Sequence, residues 1–218
     1  MSTKSVFISR DISKTNIFYC RLAELGYEVK GQSFINFSPI YNYWSDPIDW
    51  IFFYSKTGAK FFGHHPNLPV KVGAFGPATA MFVEQMGYKV DFRGRGDPAV
   101  VATDFLKVSK GERVLFPQGK NSKKSVENKL ALEIEAYEFK VYANSPLEVV
   151  LKRPEAILVF TSPMNASAYF KSHRLEDYQQ VICIGETTKS VVPSMYNVFT
   201  PARPTEKSLA QKVIDIKE

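Results

Sequence analysis

Ala156-Ile157-Leu158-Val159-Phe160-Thr161-Ser162 is an apolar run that stops at a hydroxyl residue. A run of this kind is expected of a strand covered on both faces, as in a parallel sheet. Asp49-Trp50-Ile51-Phe52-Phe53-Tyr54-Ser55 lines up with it and again closes on Ser before a helix. Downstream of each lies a second matched pair. Val72-Gly73-Ala74-Phe75-Gly76-Pro77-Ala78-Thr79 corresponds to Val181-Ile182-Cys183-Ile184-Gly185-Glu186-Thr187-Thr188. Val6-Phe7-Ile8-Ser9-Arg10 likewise corresponds to Val114-Leu115-Phe116-Pro117-Gln118. The matches predict two duplicated halves. Each holds, in the same order, a strand, a helix, a strand ending in Ser and a strand ending in Gly-x-x-Thr.

Between these strands the pattern turns helical. Ile17 to Leu25 carries Phe18, Leu22 and Leu25 at helical spacing and stops at Gly26. Pro77 just inside and Gly87 just past the end mark a helix through Met86. A third helix is predicted over Ser125 to Ile134. Strands alternating with helices place the chain in the α/β class with parallel sheets.

The 218 residues are 44% hydrophobic and 14% aromatic, enough apolar material for real cores. Twenty-eight Lys and Arg against 22 Asp and Glu leave a net charge of +6, which attracts anions without naming them. No apolar run approaches the roughly 20 residues that span a bilayer, and no leader pattern precedes Val6. A cytoplasmic protein away from membranes is therefore expected, with Cys20 and Cys183 as reduced, buried thiols.

In open parallel sheets ligands bind beyond the carboxyl ends of the strands. Ser55, Gly76, Ser162 and Gly185 fall at that edge, each before a helix whose free amides and dipole favour an anion. Thr79 and Thr188 fall in the first turns of two of these helices. Singly, such residues serve as helix caps; as a matched set they predict an anion-binding surface. Arg10, directly after the first strand, is best placed of the basic residues to reach a ligand. From Lys89 to Lys124 nine Lys or Arg stand against four Asp or Glu, which reads as a solvated loop surface or a field that draws in a polyanion. No nucleic-acid module interleaves aromatics with these charges.

Other signatures fail. Gly185 to Ser190 lacks the second glycine of a phosphate loop. Gly94 and Gly96 are read as following a charged loop and not a strand, so a dinucleotide fingerprint is excluded. His64 and His65 are adjacent and have no partner at ligand spacing. No metal or nucleotide cofactor is expected. Tyr142, in Phe139-Lys140-Val141-Tyr142, is polar-tipped where the chain is expected to change domain.

Phe160-Thr161-Ser162-Pro163, then Ile184, Gly185, Thr187 and Thr188, then Ala202, Pro204 and Thr205, resemble the uroporphyrinogen-III synthase family in order and spacing. Gly76-Pro77-Ala78-Thr79-Ala80 and Val141-Tyr142 resemble it too, so the likeness spans nearly the whole chain. It implies two flavodoxin-like domains around a cleft: residues 1–33 with 145–218, and residues 36–141. The two crossings would lie near Gly31 to Phe37 and Val141 to Ser145, and would act as a hinge.

The resemblance further implies a cofactor-free monomer acting on hydroxymethylbilane, a linear polycarboxylate tetrapyrrole, with transient contact to the enzyme that makes it. Tyr142 matches the tyrosine that assists loss of the hydroxyl. Ser55, Thr79, Ser162 and Thr188 match positions that hold carboxylates. Thr57 stands where the family often has Asn or Arg, and Lys56 would supply the missing charge. Glu186 replaces a common Pro and brings an acid to an expected anion site. Two other readings stay open: a two-lobed binding protein that has lost the chemistry, and a module that meets RNA or protein through Lys89 to Lys124.

Overall fold

A computed structural model describes residues 4–65, 69–130, 132–147 and 155–216. The chain divides into two compact units, Met1–Asn36 with Ser145–Glu218, and Phe37–Asn144. From the amino terminus, β1 (Ser5–Ile8), α1 (Ile17–Ala23) and β2 (Glu28–Gly31) open the first unit, and β3 (Ile35–Pro39) leads out of it. The second unit runs through β4 (Trp50–Phe53), α2 (Lys56–Phe62), β5 (Lys71–Ala74), α3 (Pro77–Gln85) and β6 (Phe92–Arg93). It finishes with α4 (Pro98–Ser109), β7 (Arg113–Gly119), α5 (Glu127–Leu130) and β8 (Glu135–Pro146), which leads back. The first unit is completed by β9 (Ile157–Phe160), α6 (Pro163–Ser172), β10 (Gln180–Cys183), α7 (Glu186–Lys189), β11 (Val198–Phe199) and α8 (Glu206–Asp215).

One sheet has the order β2-β1-β9-β10-β11 and the other β3-β8-β7-β4-β5-β6. Neighbours from β2 to β11 and from β8 to β6 pair in parallel. Side by side, β2-β1-β9-β10-β11 corresponds to β8-β7-β4-β5-β6. The sequence matches therefore hold strand for strand. The expectation that both halves follow one order holds only across the sheets. Along the chain the second unit enters at β4 and reaches the counterparts of β1 and β2 last. Pairing depends on which strands present complementary edges and not on where the chain begins, so this circular shift leaves the sheet order intact.

The apolar runs behave as their composition dictates. Every residue of β4 and of β9 is buried. In β9, Leu158 and Phe160 pack on one side, while Ile157 and Val159 meet α1 and α8 residues on the other. Phe52 and Ile51 divide β4 between two cores in the same way.

Four expectations need correction. The predicted helix over Ser125 to Ile134 is a single turn, Glu127–Leu130. Its start is tied by the Tyr54 hydroxyl, which accepts from the amides of Val126 and Glu127. The chain must straighten by Glu135 to pair with β7. Secondly, Lys89 to Lys124 is not a loop surface but holds β6, α4 and all of β7. Thirdly, Gly94 and Gly96 do follow a strand, β6, and precede α4. What closes that turn to an anion is Asp97, whose carboxylate caps the amides of Ala99 and Val100. Cys20, expected to be buried, is partly exposed. No helix among the described residues is long and apolar enough to cross a membrane.

Candidate active site

The carboxyl ends of the central strands carry matched groups in the two units. Ser55 ends β4 and Ser162 ends β9, with φ/ψ of −153°/160° and −154°/150°. Each hydroxyl accepts from the amide three residues on, Gly58 at 3.1 Å and Asn165 at 3.2 Å. Both serines are thus true N-caps, and part of their capacity is spent within the protein. Gly76 after β5 and Gly185 after β10 have no side chain to cap with. The amides of Ala78, Glu186 and Thr187 consequently meet no protein acceptor among the described residues.

These two glycines are not required by the backbone. Their φ angles of −157° and −178° are extended and open to any residue. A Cβ at either would meet nothing within 4 Å. Bare backbone facing open space, twice, at equivalent strand ends, is what close approach of a ligand to amides needs. Thr79 and Thr188 sit one turn in, buried at 8% and 2% exposure, with their amides bonded to Gly76 and Gly185. They brace the turn from beneath instead of standing on its surface.

Arg10 lies at the end of β1 but is already engaged. Its Nη2 donates to both carboxylate oxygens of Glu206, at 2.5 and 2.6 Å, at the first turn of α8. Its charge is largely offset there. Lys56, in contrast, is exposed at the start of α2 with no ion-pair partner among the described residues. Thr57 follows it, partly exposed. Lys120, just after β7, is likewise exposed and unpaired among the described residues. The sequence places it only within a general basic stretch. Glu186 is exposed on α7, within 3.5 Å of the Thr200 hydroxyl.

Tyr142 lies on β8, with its hydroxyl close enough to the Ser55 side chain for Ser55 to influence its ionisation. Its ring stacks on Phe61 (centroids 5.4 Å apart, 29° between planes) and meets Phe37 edge-on at 5.7 Å. Burial raises the phenol above its ordinary value, with the Ser55 side chain pulling the other way. The group therefore stays protonated through the neutral range, as a hydrogen-bond donor must. The fold thus joins two residues that the sequence singled out separately, Ser55 and Tyr142. Sequence reasoning missed Phe61 and Phe37, whose apolar character fits a core equally well and carries no local signal.

Two hollows of the second unit, each of about 610 Å³, lie elsewhere. One sits at the amino ends of β4 and β5, beside Asp49, Lys71 and Glu112. Its charges satisfy one another, Asp49 with Arg113 and Lys71 with Glu112. The other is apolar and flanks α2 between Trp44, Phe62 and Phe139.

The chain is similar to solved uroporphyrinogen-III synthases in fold. The enzyme from Helicobacter pylori superposes with a TM-score of 0.75 at 18% identity, covering 98% of this chain and 99% of that one. A mutant of the Thermus thermophilus enzyme superposes with a TM-score of 0.54 at 15% identity, again over 98% and 99%. No curated protein matches the sequence significantly. The model of the family described as "Uroporphyrinogen-III synthase HemD" matches residues 18–211. With that match covering most of the sequence, the chain belongs to the uroporphyrinogen-III synthase family, cyclising lyases of tetrapyrrole biosynthesis.

Proposed function

We propose that this chain closes hydroxymethylbilane to uroporphyrinogen III with Tyr142 as the acid and the matched strand ends of each unit as carboxylate-binding groups. The observation that carries the reading is the pair Gly76 and Gly185, bare and extended before amides that meet no protein acceptor among the described residues. The substrate's acetate and propionate groups suit such amides. Lys56 adds an unpaired positive charge beside Ser55. Lys120 joins them in this proposal, and Arg10 contributes a charge that it shares with Glu206.

In the reaction so read, the Tyr142 phenol donates to the departing hydroxyl of the first ring, which leaves as water. The last pyrrole then attacks the resulting electrophile through its substituted carbon and forms a spiro intermediate. The bond to its former neighbour breaks, and the ring recloses inverted. The proton released as that pyrrole regains aromaticity balances the one given to the hydroxyl. Holding the carboxylates fixed makes the inverted closure faster than the spontaneous uninverted one.

The test couples the protein to a source of hydroxymethylbilane and separates the isomers formed. The inverted isomer should dominate with the wild type, and Tyr142→Phe should lower kcat by about 10²-fold or more. Only the uninverted isomer, formed at the spontaneous rate, would overturn the activity. Full kcat in Tyr142→Phe would remove the acid role alone.

A further inference from the structure

The pairing of β7 with β8 is regular from Arg113 opposite Glu135 to Gln118 opposite Lys140, and then slips. Gly119 stands opposite Tyr142, so Val141 is an extra residue on β8. Such a bulge bends a strand and re-aims the side chain that follows it. Here that side chain is Tyr142, and the amide of Lys120 donates to the Tyr142 carbonyl at 2.8 Å just beyond the slip.

The ring lands on a glycine. A Cβ on Gly119 would lie 2.7 Å from Cε2 and Cζ of Tyr142 and 2.9 Å from its hydroxyl oxygen. Those are the nearest atoms it would meet, and all belong to the phenol end of the ring. Gly119 is not among the residues with positive φ, so its backbone has no need of glycine. Gly119 closes β7 at the register slip, and glycine in a strand often marks a bulge or the close approach of another group. The group that comes close at Gly119 is the phenol.

We propose that Gly119 is a positioning residue for Tyr142. The bulge turns the ring onto the bare Cα of Gly119, Phe61 stacks on the ring, and the hydroxyl lies beside Ser55. This inference rests on Tyr142 being the group that acts, and it identifies what places the phenol. It also distinguishes Gly119 from Gly58, where an added Cβ would strike the backbone oxygen of Pro117 at 2.8 Å. Backbone cannot yield there without damage to the fold, whereas at Gly119 the flexible end of a side chain yields. Substitution of Gly119 should therefore displace the phenol and leave the fold standing.

The experiment compares wild type, Gly119→Ala, Tyr142→Phe and the double variant. Gly119→Ala should lower kcat by on the order of tenfold to a hundredfold, the cost of misplacing a reacting group by about 1 Å. KM should change less than about twofold, and the thermal midpoint should stay within a few degrees. In the Tyr142→Phe background the same substitution should cost almost nothing more, because the group it acts through is gone. Spectrophotometric titration, taken as the difference between each protein and its Tyr142→Phe partner, reads phenol placement without activity. It should shift toward the ordinary tyrosine value in Gly119→Ala.

An unmoved titration would overturn the proposal. So would equal losses in both backgrounds, or full kcat in Gly119→Ala. If Tyr142→Phe is itself fully active, the acid role falls and the titration alone decides the positioning of the phenol. Should Gly119→Ala not fold, Phe61→Leu removes the ring that stacks on the phenol and must show the same titration shift and the same non-additivity.

Discussion

Asp49 and Tyr142 show one fold moving two acids in opposite directions. The Asp49 carboxylate accepts three hydrogen bonds from Arg113, from its backbone amide, Nε and Nη2, each at 2.9 Å. Those bonds hold the carboxyl down from 3.8 to about 2. The folded state therefore binds this proton less tightly than the unfolded chain does. The stabilisation is complete above about pH 4 and is lost as the pH falls toward 2. Asp49→Asn should lower the urea midpoint at neutral pH, and the gap should close near pH 2; a gap that persists there would show that packing, not charge, is lost. Tyr142 moves upward because burial disfavours its anion. The kcat loss in Tyr142→Phe should then be the same from about pH 6 to about pH 9, below the ordinary phenol value. Ser55 and Tyr142 were each legible in the sequence as polar groups at strand or domain ends. Their proximity was not, because it arises only when β4 and β8 take their places in one sheet with β7 between them.

Elements begin and end here for reasons that are mostly local. Asn16, Ser55, Asp97, Ser162 and Thr205 each cap a helix with a side-chain oxygen. Asp97-Pro98 is a start signal for α4 carried locally in the sequence. The edge strands β2, β6 and β11 were harder to see. They run for two to four residues and are partly exposed, so no apolar run announces them. The glycines separate into kinds only when their surroundings are known. Gly76→Val and Gly185→Val add a side chain into open space on an extended backbone. Stability should change by no more than about 0.5 kcal/mol, while KM should rise about tenfold as the amides are covered, if they hold carboxylates. Gly58→Ala, clashing with Pro117 backbone, should instead cost about 1–3 kcal/mol of stability. Steady-state kinetics beside urea unfolding separates the two; an unchanged KM at Gly76 and Gly185 would remove them from the binding surface.

The described residues form four apolar cores, each wholly within one unit, two in the first and two in the second. A contiguous segment that carries its own sheet and cores should fold alone. Residues 37–144, expressed by themselves, should unfold cooperatively by circular dichroism; a non-cooperative melt would show that the segment depends on the rest of the chain. By itself the sequence determined the α/β class, the central strands, the duplication and the matched Ser and Gly-x-x-Thr ends. Apolar runs, caps and repeats act over a few residues, so they leave their mark locally. Only the tertiary structure decided the circular shift of the second unit, the pairing of Arg10 with Glu206, and the seat of Tyr142 between Phe61, Gly119 and Ser55. Those depend on which residues distant in sequence are set side by side by strand pairing and bulge, and on how closely two side chains can approach. No short-range pattern carries that information.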